Sequence, residues 1–257
     1  MSDSDELESD QVNSVLNALN VIEVLYQIDG GGASEVAREL DLAKSTVYSH
    51  LQTLEEAEYV AREGDQYHVG LKFLKLGVFS RSRKQEYTMS EQKVRELAEE
   101  TQERSQFIVE EHGRGVYLHR EVGDRAVHTD PGIGKRIPLH STAAGKAILA
   151  ELSSERIEAI IDRWGLEATT KHTITDPDEL RADLEEIQER GYAINLEENV
   201  PGLHAVGVAV TGDDNRVCGA LSVSGPSHRF KGDILHEEIP DLLLGAANEL
   251  ELNLMYS

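Results

Sequence analysis

The stretch from Ala43 to Ala57, AKSTVYSHLQTLEEA, constrains this chain more than any other, because a helical period sorts it onto two unlike faces. Val47, Leu51 and Leu54 make an apolar inner stripe with the spacing of one side of a 3.6-residue helix. Ser45, Tyr48, Ser49 and Gln52 fall at i, i+3, i+4 and i+7 and share the outer side. All four can donate or accept hydrogen bonds, none is acidic, and Lys44 stands at the helix start. The whole chain carries a net charge of −23, from 25 Lys+Arg against 48 Asp+Glu, so a carboxylate-free stripe of this length is unexpected. It suits the major groove of DNA, where base edges offer donors and acceptors and phosphates repel carboxylates. The alternative is a small solvated helix face, and the flanking sequence has to decide.

On the N-terminal side, Val12, Val15, Leu19, Ile22 and Tyr26 recur at helical spacing and predict an amphipathic helix over about 12–28. Asp29-Gly-Gly-Gly32 breaks it, since glycine tolerates the positive φ of a tight turn. A short helix over about 33–40 turns Val36, Ala37 and Leu40 inward, and Asp41-Leu42 joins it to the two-faced helix. On the C-terminal side, Tyr59–Arg62 and Gln66–Val69 around Glu63-Gly-Asp65 read as a two-stranded hairpin. Three helices followed by a hairpin are the winged form of helix-turn-helix, expected over residues 11–70. In that arrangement Lys44, Ser45, Thr46, Tyr48, Ser49 and Gln52 face DNA, and Arg62 on the wing reaches a phosphate or the minor groove.

The acidic total would argue against a nucleic-acid partner, but its distribution does not. Residues 11–85 hold 8 Lys+Arg against 10 Asp+Glu and are nearly neutral, whereas residues 86–257 hold 17 against 33 and the first ten residues add five more acids. Acid spread along a chain with 9 Lys beside 16 Arg resembles the proteins of extreme halophiles, an acidic mesophilic protein being the alternative. In molar salt, self-repulsion is screened within about 3 Å and counterion release from DNA offers little, so an acidic DNA-binding protein is physically reasonable.

Leu71, Leu74 and Val78 continue a helix into Ser80-Arg-Ser-Arg-Lys84, and residues 71–88 read as a helical linker. A helix over about 89–104 follows, with Val94, Leu97 and Ala98 inward, and opens a second domain over 89–257. Phe107–Val109 and Val116–Leu118 predict strands around His112–Gly115, and Val206–Thr211 and Val217–Ser224 a second pair around Gly212–Arg216. Helices are expected at about 141–150, 153–164, 178–190 and 235–255. The third has Asp176 as N-cap, Pro177 at the first position and Glu179 at the third. Strands with helices packed around them predict an α+β chain, its second domain built on an antiparallel sheet.

Residues 33–77, from ASEVAREL to LKFLKLG, resemble the DNA-binding domain of the IclR family of regulators. The resemblance continues in RIPLHSTAAGKAILAEL (136–152), in KHTITDPDELRADLEEIQERGYAINLEENVPGLHAVGVAV (171–210) and in GALSVSGPSHRF (219–230), and so covers nearly everything beyond residue 10. It implies a GAF-like α/β effector-binding domain and pairing of subunits, as a dimer or a dimer of dimers, on a roughly palindromic operator. It also implies an effector site between the sheet and the loop before the 141–150 helix. There the backbone N–H groups of Ala143 and Ala144 would attract a carboxylate. Ser222 and Ser224 alternate by two and share a strand face that suits an oxygen-rich ligand, unless that face is merely solvated. The chain departs from the family's pattern where it has Asn195 and Ala205 in place of an acid and a cysteine. Losing the acid removes a charge that disfavours anions and the alanine enlarges the cavity, which favours a sugar acid over a two-carbon acid as effector.

Other chemistries fit less well. Gly145-Lys146 lacks the upstream glycine of a P-loop, because position 140 is His. His140 and Ser141, adjacent in the chain, do not make a nucleophile and base, and no GxSxG surrounds the serine. The ten histidines contain no HxxxH or HExxH pair, and a metal site assembled by folding stays open. The lone Cys218 excludes an internal disulfide. The acidic N-terminus is not a signal peptide and no apolar run reaches a membrane span, so a cytoplasmic regulator of catabolic genes without a cofactor or catalytic residues is expected. The alternatives are a metabolite sensor acting through a protein partner and a DNA-binding protein that needs no ligand.

Overall fold

A computed structural model describes residues 12–126, 132–212 and 216–256, which form two compact units dividing between Ser80 and Arg81. The first five acids and the centre of the turn predicted at 212–216 lie outside the described residues.

The first unit runs α1 (Asn13–Gln27), α2 (Ala33–Leu40), α3 (Lys44–Glu56), β1 (Val60–Glu63), β2 (Gln66–Val69) and the start of α4 (Lys72–Ser82). Val36, Val47, Leu51, Leu54, Val60 and Tyr67 close one core with Val21, Val24 and Leu25. The turn after α1 needs its glycines. Gly30 has φ +95° and a Cβ there would lie 2.3 Å from the His68 ring, while Gly31 bonds to Tyr67 in both directions and stitches the turn to the wing.

The apolar stripe expected on α1 is corrected by the structure. Val12, Val15, Leu19 and Tyr26 are exposed, and the opposite face, Val21, Val24 and Leu25, is the buried one. The helix is apolar on both sides, so periodicity found a stripe but could not say which stripe faces this core. Helix α4 buries no residue at all, and Leu71, Leu74, Val78 and Phe79 are more than half exposed.

The second unit begins with α5 (Gln85–Thr101), which starts four residues before the predicted position. Its six-stranded antiparallel sheet has the order β5-β4-β3-β8-β7-β6, with β3 (Arg104–Glu111), β4 (Arg114–Val122), β5 (Arg136–Ile137), β6 (Ala193–Leu196), β7 (Leu203–Thr211) and β8 (Val217–Pro226). The predicted strands were too short, and the edge strands β5 and β6 were not foreseen. Two- and four-residue edges carry almost no periodic signal. Helices α6 (Ala143–Ala150), α7 (Ser154–Trp164) and α8 (Pro177–Arg190) follow the predicted order. Asp176 caps α8 through Oδ1, which accepts from the N–H groups of Asp178 and Glu179. The final helix is a π-helical turn, Ile234–Glu238, continued by α9 (Ile239–Met255).

Strand alternation divides the sheet into two chemically different faces. Phe107, Val109, Leu118, Val206, Val208, Val210, Leu221 and Val223 point to α5 and α9 and form an apolar core. On the other face, Ile108, Tyr117 and Ala220 pack against α6 and α8 at one end. The rest of that face is polar.

Candidate functional site

Pairing register brings the polar residues together. Asn195 lies opposite Ala205, Ala205 opposite Ser224, and Ser224 opposite Arg104. The neighbouring row runs Gly207, Ser222, Gln106 and Arg120. From these two rows Arg104, Gln106, Asn195, Ala205, Ser222 and Ser224 floor a cleft of about 370 Å³, counting its open mouth, and the first turn of α6 is its roof. Ala143, Ala144, Asn195, Ala205, Ser222 and Ser224, the six effector-site candidates, all line it.

The roof sits hard on the floor. A Cβ at Gly207 would lie 2.5 Å from the Ala143 carbonyl carbon and 2.6 Å from the Ala144 nitrogen, so only glycine lets α6 come this close. Gly145 is equally confined against the Leu139 backbone. Thr142 caps α6 by accepting from the Gly145 N–H at 3.0 Å, which leaves the Ala143 and Ala144 N–H groups at the positive end of the helix, beside the cleft.

Asn195 acts on this roof from the side. Its Nδ2 donates to the Ser141 carbonyl at 2.6 Å and its Oδ1 accepts from the Glu198 N–H at 3.2 Å, so its amide ties the loop before α6 to the turn after β6. Below, Lys146 is 2% exposed and its Nζ lies 2.8 Å from both Glu198 and Asp183. Burial pushes the Glu198 carboxyl above its ordinary range, and the Lys146 charge opposes that shift. Lys146 is thus an internal strut, not a phosphate ligand. His140 is turned away to the Glu167 carbonyl and does not serve Ser141.

Sequence reasoning missed Arg104, Gln106, Tyr117 and His204, which also line the cleft. Arg104 is 6% exposed and donates Nε to Ser224 Oγ at 3.0 Å. Burial lowers its pKa; the charge of Arg120 adds to that and Tyr117 opposes it. Gln106 is 4% exposed and its Oε1 accepts no hydrogen bond. Arg104 and Gln106 at i and i+2 were a readable signal, lost because β3 was expected to begin at Phe107. Among the described residues that line the cleft there is no Asp or Glu.

The other candidate surface lies on the first unit. Lys44, Ser45, Thr46, Tyr48, Ser49 and Gln52 are all exposed on α3, whose acids begin only at Glu55. Ser49 Oγ donates to the Ser45 carbonyl at 3.0 Å and Gln52 Nε2 to Tyr48 Oη at 3.4 Å, which orders the stripe without burying it. Arg62 is exposed on the wing, its guanidinium 5.5 Å from the centre of the Tyr67 ring and its Nε donating to the Gly64 carbonyl. No helix among the described residues is long and apolar enough to cross a membrane, and none of them group as a metal site.

Comparison with known proteins separates the same two units. Residues 14–64 match the IclR helix-turn-helix domain and residues 83–251 the C-terminal domain of bacterial IclR transcriptional regulators. The chain is 33% identical, over 96% of its length and 95% of the relative's, to "Probable HTH-type transcriptional regulator ArcR" of Halobacterium salinarum. It is 32% identical to the HTH-type transcriptional regulator KdgR of Dickeya chrysanthemi, over 94% of this chain and 80% of that one. The crystal structure of the Thermotoga maritima IclR superposes with a TM-score of 0.77 at 27% identity, covering 95% and 99% of the two chains.

Proposed function

The chain belongs to the IclR family of transcriptional regulators, DNA-binding proteins with an effector-binding C-terminal domain, and we propose that a small carboxylate, by preference a sugar acid, modulates its operator binding. The observation that carries this reading is the cleft itself. It combines a helix N-terminus, a buried guanidinium and several hydroxyl or amide groups, with no acid among its described lining residues. Catabolic genes are the natural targets of a regulator with such an effector.

On the DNA side, Lys44, Ser45, Thr46, Tyr48, Ser49 and Gln52 read the major groove and Arg62 contacts the backbone or minor groove. The exposed apolar faces of α1 and α4 favour a dimer, since apolar surface on this scale is rarely left in water by a monomer. Two copies then present two recognition helices to a roughly palindromic operator. Acidity over the second unit, with a haloarchaeal relative at 33% identity, favours a cytoplasm rich in salt.

A fluorescence-anisotropy titration against the DNA upstream of its own gene, in 0.2 to 2 M KCl with scrambled DNA as control, tests this. Specific binding that survives molar KCl and shifts on adding a sugar acid is expected. Absence of sequence preference at every salt concentration would refute the DNA reading of α3. Specific binding indifferent to every acid would refute the effector reading.

A further inference from the structure

A second cavity, of about 880 Å³ counting its open mouth, lies where the end of α5 meets the start of α9, and it shares no lining residue with the cleft. Its Phe230 and Ile239 belong to the apolar core on the opposite face of the sheet. We infer that this cavity is a separate ligand site, and that it takes a primary ammonium on a short apolar body, received by Oε2 of Glu103.

Glu103 stands between α5 and β3, lines the cavity, and has a side chain only 6% exposed. Arg229 brings two donors to it, Nε at 3.0 Å and Nη2 at 2.6 Å, but both go to Oε1. A guanidinium commonly spreads two such bonds over both oxygens of a carboxylate. Here Oε2 is buried and makes no hydrogen bond. An unpaired buried carboxylate oxygen is costly, and a donor entering the cavity removes that cost. The surroundings hold the carboxylate in place. Thr101 Oγ1 accepts from the Glu103 N–H at 3.2 Å. A Cβ at Gly225 would lie 2.4 Å from the Phe230 ring and 3.1 Å from the Glu103 carboxyl carbon, so glycine is needed where the two side chains lie over β8.

Charge and wall chemistry set the ligand class. Glu100 and Glu238 add two exposed carboxylates to Glu103, against Arg125 and Arg229, so the described lining groups leave one negative charge for a single cation to balance. Arg229 is already engaged, by Glu103 and by the Arg125 carbonyl at 2.8 Å. Phe230, Ile234, Ile239 and Leu242 supply an apolar wall, which suits a hydrocarbon body and not a bare hydrated ion. An ammonium with N–H bonds can donate to Oε2, whereas a quaternary ammonium of the same charge cannot.

Isothermal titration of the full chain in 0.2 M KCl tests this with hexylammonium, hexyltrimethylammonium and hexanol, which share an alkyl chain and differ in charge and donor. Hexylammonium is expected to bind with a Kd below about 1 mM, at least about tenfold more tightly than either of the others. Leu242→Trp fills the cavity, leaves every charge in place, and should abolish hexylammonium binding while the melting temperature holds. Glu103→Gln should weaken hexylammonium by at least about tenfold and leave hexanol unchanged. Hexyltrimethylammonium binding as tightly as hexylammonium would overturn the role of Glu103 and assign the attraction to the general acidity of the chain. Hexanol binding as tightly would overturn the cation. Unchanged affinity in Leu242→Trp would place the binding elsewhere and overturn the site. No heat of binding up to about 10 mM hexylammonium would overturn it outright. The comparisons made on the parent chain decide the matter even if neither variant folds.

Discussion

The outer stripe of α3 and the floor of the cleft are two polar surfaces in a strongly acidic chain, and among the described residues neither carries Asp or Glu. They differ in how the polar groups are held. On α3 the groups are exposed, lie within nine residues of sequence and are ordered by single side-chain bonds along one helix. In the cleft they come from β3, β6, β7, β8 and α6, are buried, and depend on glycines that let a helix rest on a sheet. An exposed stripe in water gains little from each charge and must rely on hydrogen-bond pattern, whereas a buried site makes one guanidinium count. The two regions therefore share a lack of acids among their described residues and differ in burial, which is what gives a single charge or hydrogen bond more weight in one than in the other.

Substitutions in both regions, and a change of pH, press on that contrast. The largest effect is expected from Gly207→Val, which drives a side chain into the Ala143 and Ala144 backbone. Overpacking of this kind should cost about 3 kcal/mol and open the cleft. Thermal melting should show the loss in the second unit, and effector binding should vanish while α3 stays intact. A melting curve and ligand affinity unchanged from the parent would mean that α6 is not seated as described. Next in size, Tyr48→Ala or Gln52→Ala should cost about 1–3 kcal/mol in operator affinity if each makes a good base contact. Ser45→Asp should weaken specific and non-specific DNA alike, by phosphate repulsion. Anisotropy titrations that show no change in any of these variants would move the DNA surface elsewhere.

The smallest expected effect is a pH dependence confined to the buried region. His119 is held between Arg81, 2.6 Å from Nδ1, and the Tyr87 carbonyl at Nε2, and burial lowers its pKa. His140 is likewise lowered by burial. A histidine with a depressed folded-state pKa adds stability that is present above its unfolded value of 6.5 and is lost as pH falls through the folded value. Melting temperature should therefore decline as pH drops below about 6.5, and His119→Gln should flatten the slope. A slope unchanged in that variant would assign the acid sensitivity to other groups.

Much of this was legible because α2, α3 and the wing are local. Val47, Leu51 and Leu54 became the core stripe and the N-cap at Asp176 held, since period and capping act within a few residues. On α1 the same reasoning chose the wrong face, because two apolar stripes compete there and only the packing of α2 and α3 settles which is covered. Ser222 and Ser224 could be placed on one face from their spacing alone. Asn195 lines the cleft, and only the folded chain shows that its amide also joins the Ser141 carbonyl to the Glu198 N–H.

What the chain's residues determined by themselves was therefore the family, the order of elements and the composition of a DNA-facing helix, all properties of short-range spacing and hydrogen-bonding type. The tertiary structure decided that Arg104 and Gln106, about 120 residues away from Ser224 and Ser222, complete the same floor, and that Gly207 lets α6 close it. Strand pairing joins residues without regard to their separation in sequence, and the register of a sheet is set by the packing of both its faces. A cleft made by register can be read only once the sheet is in hand.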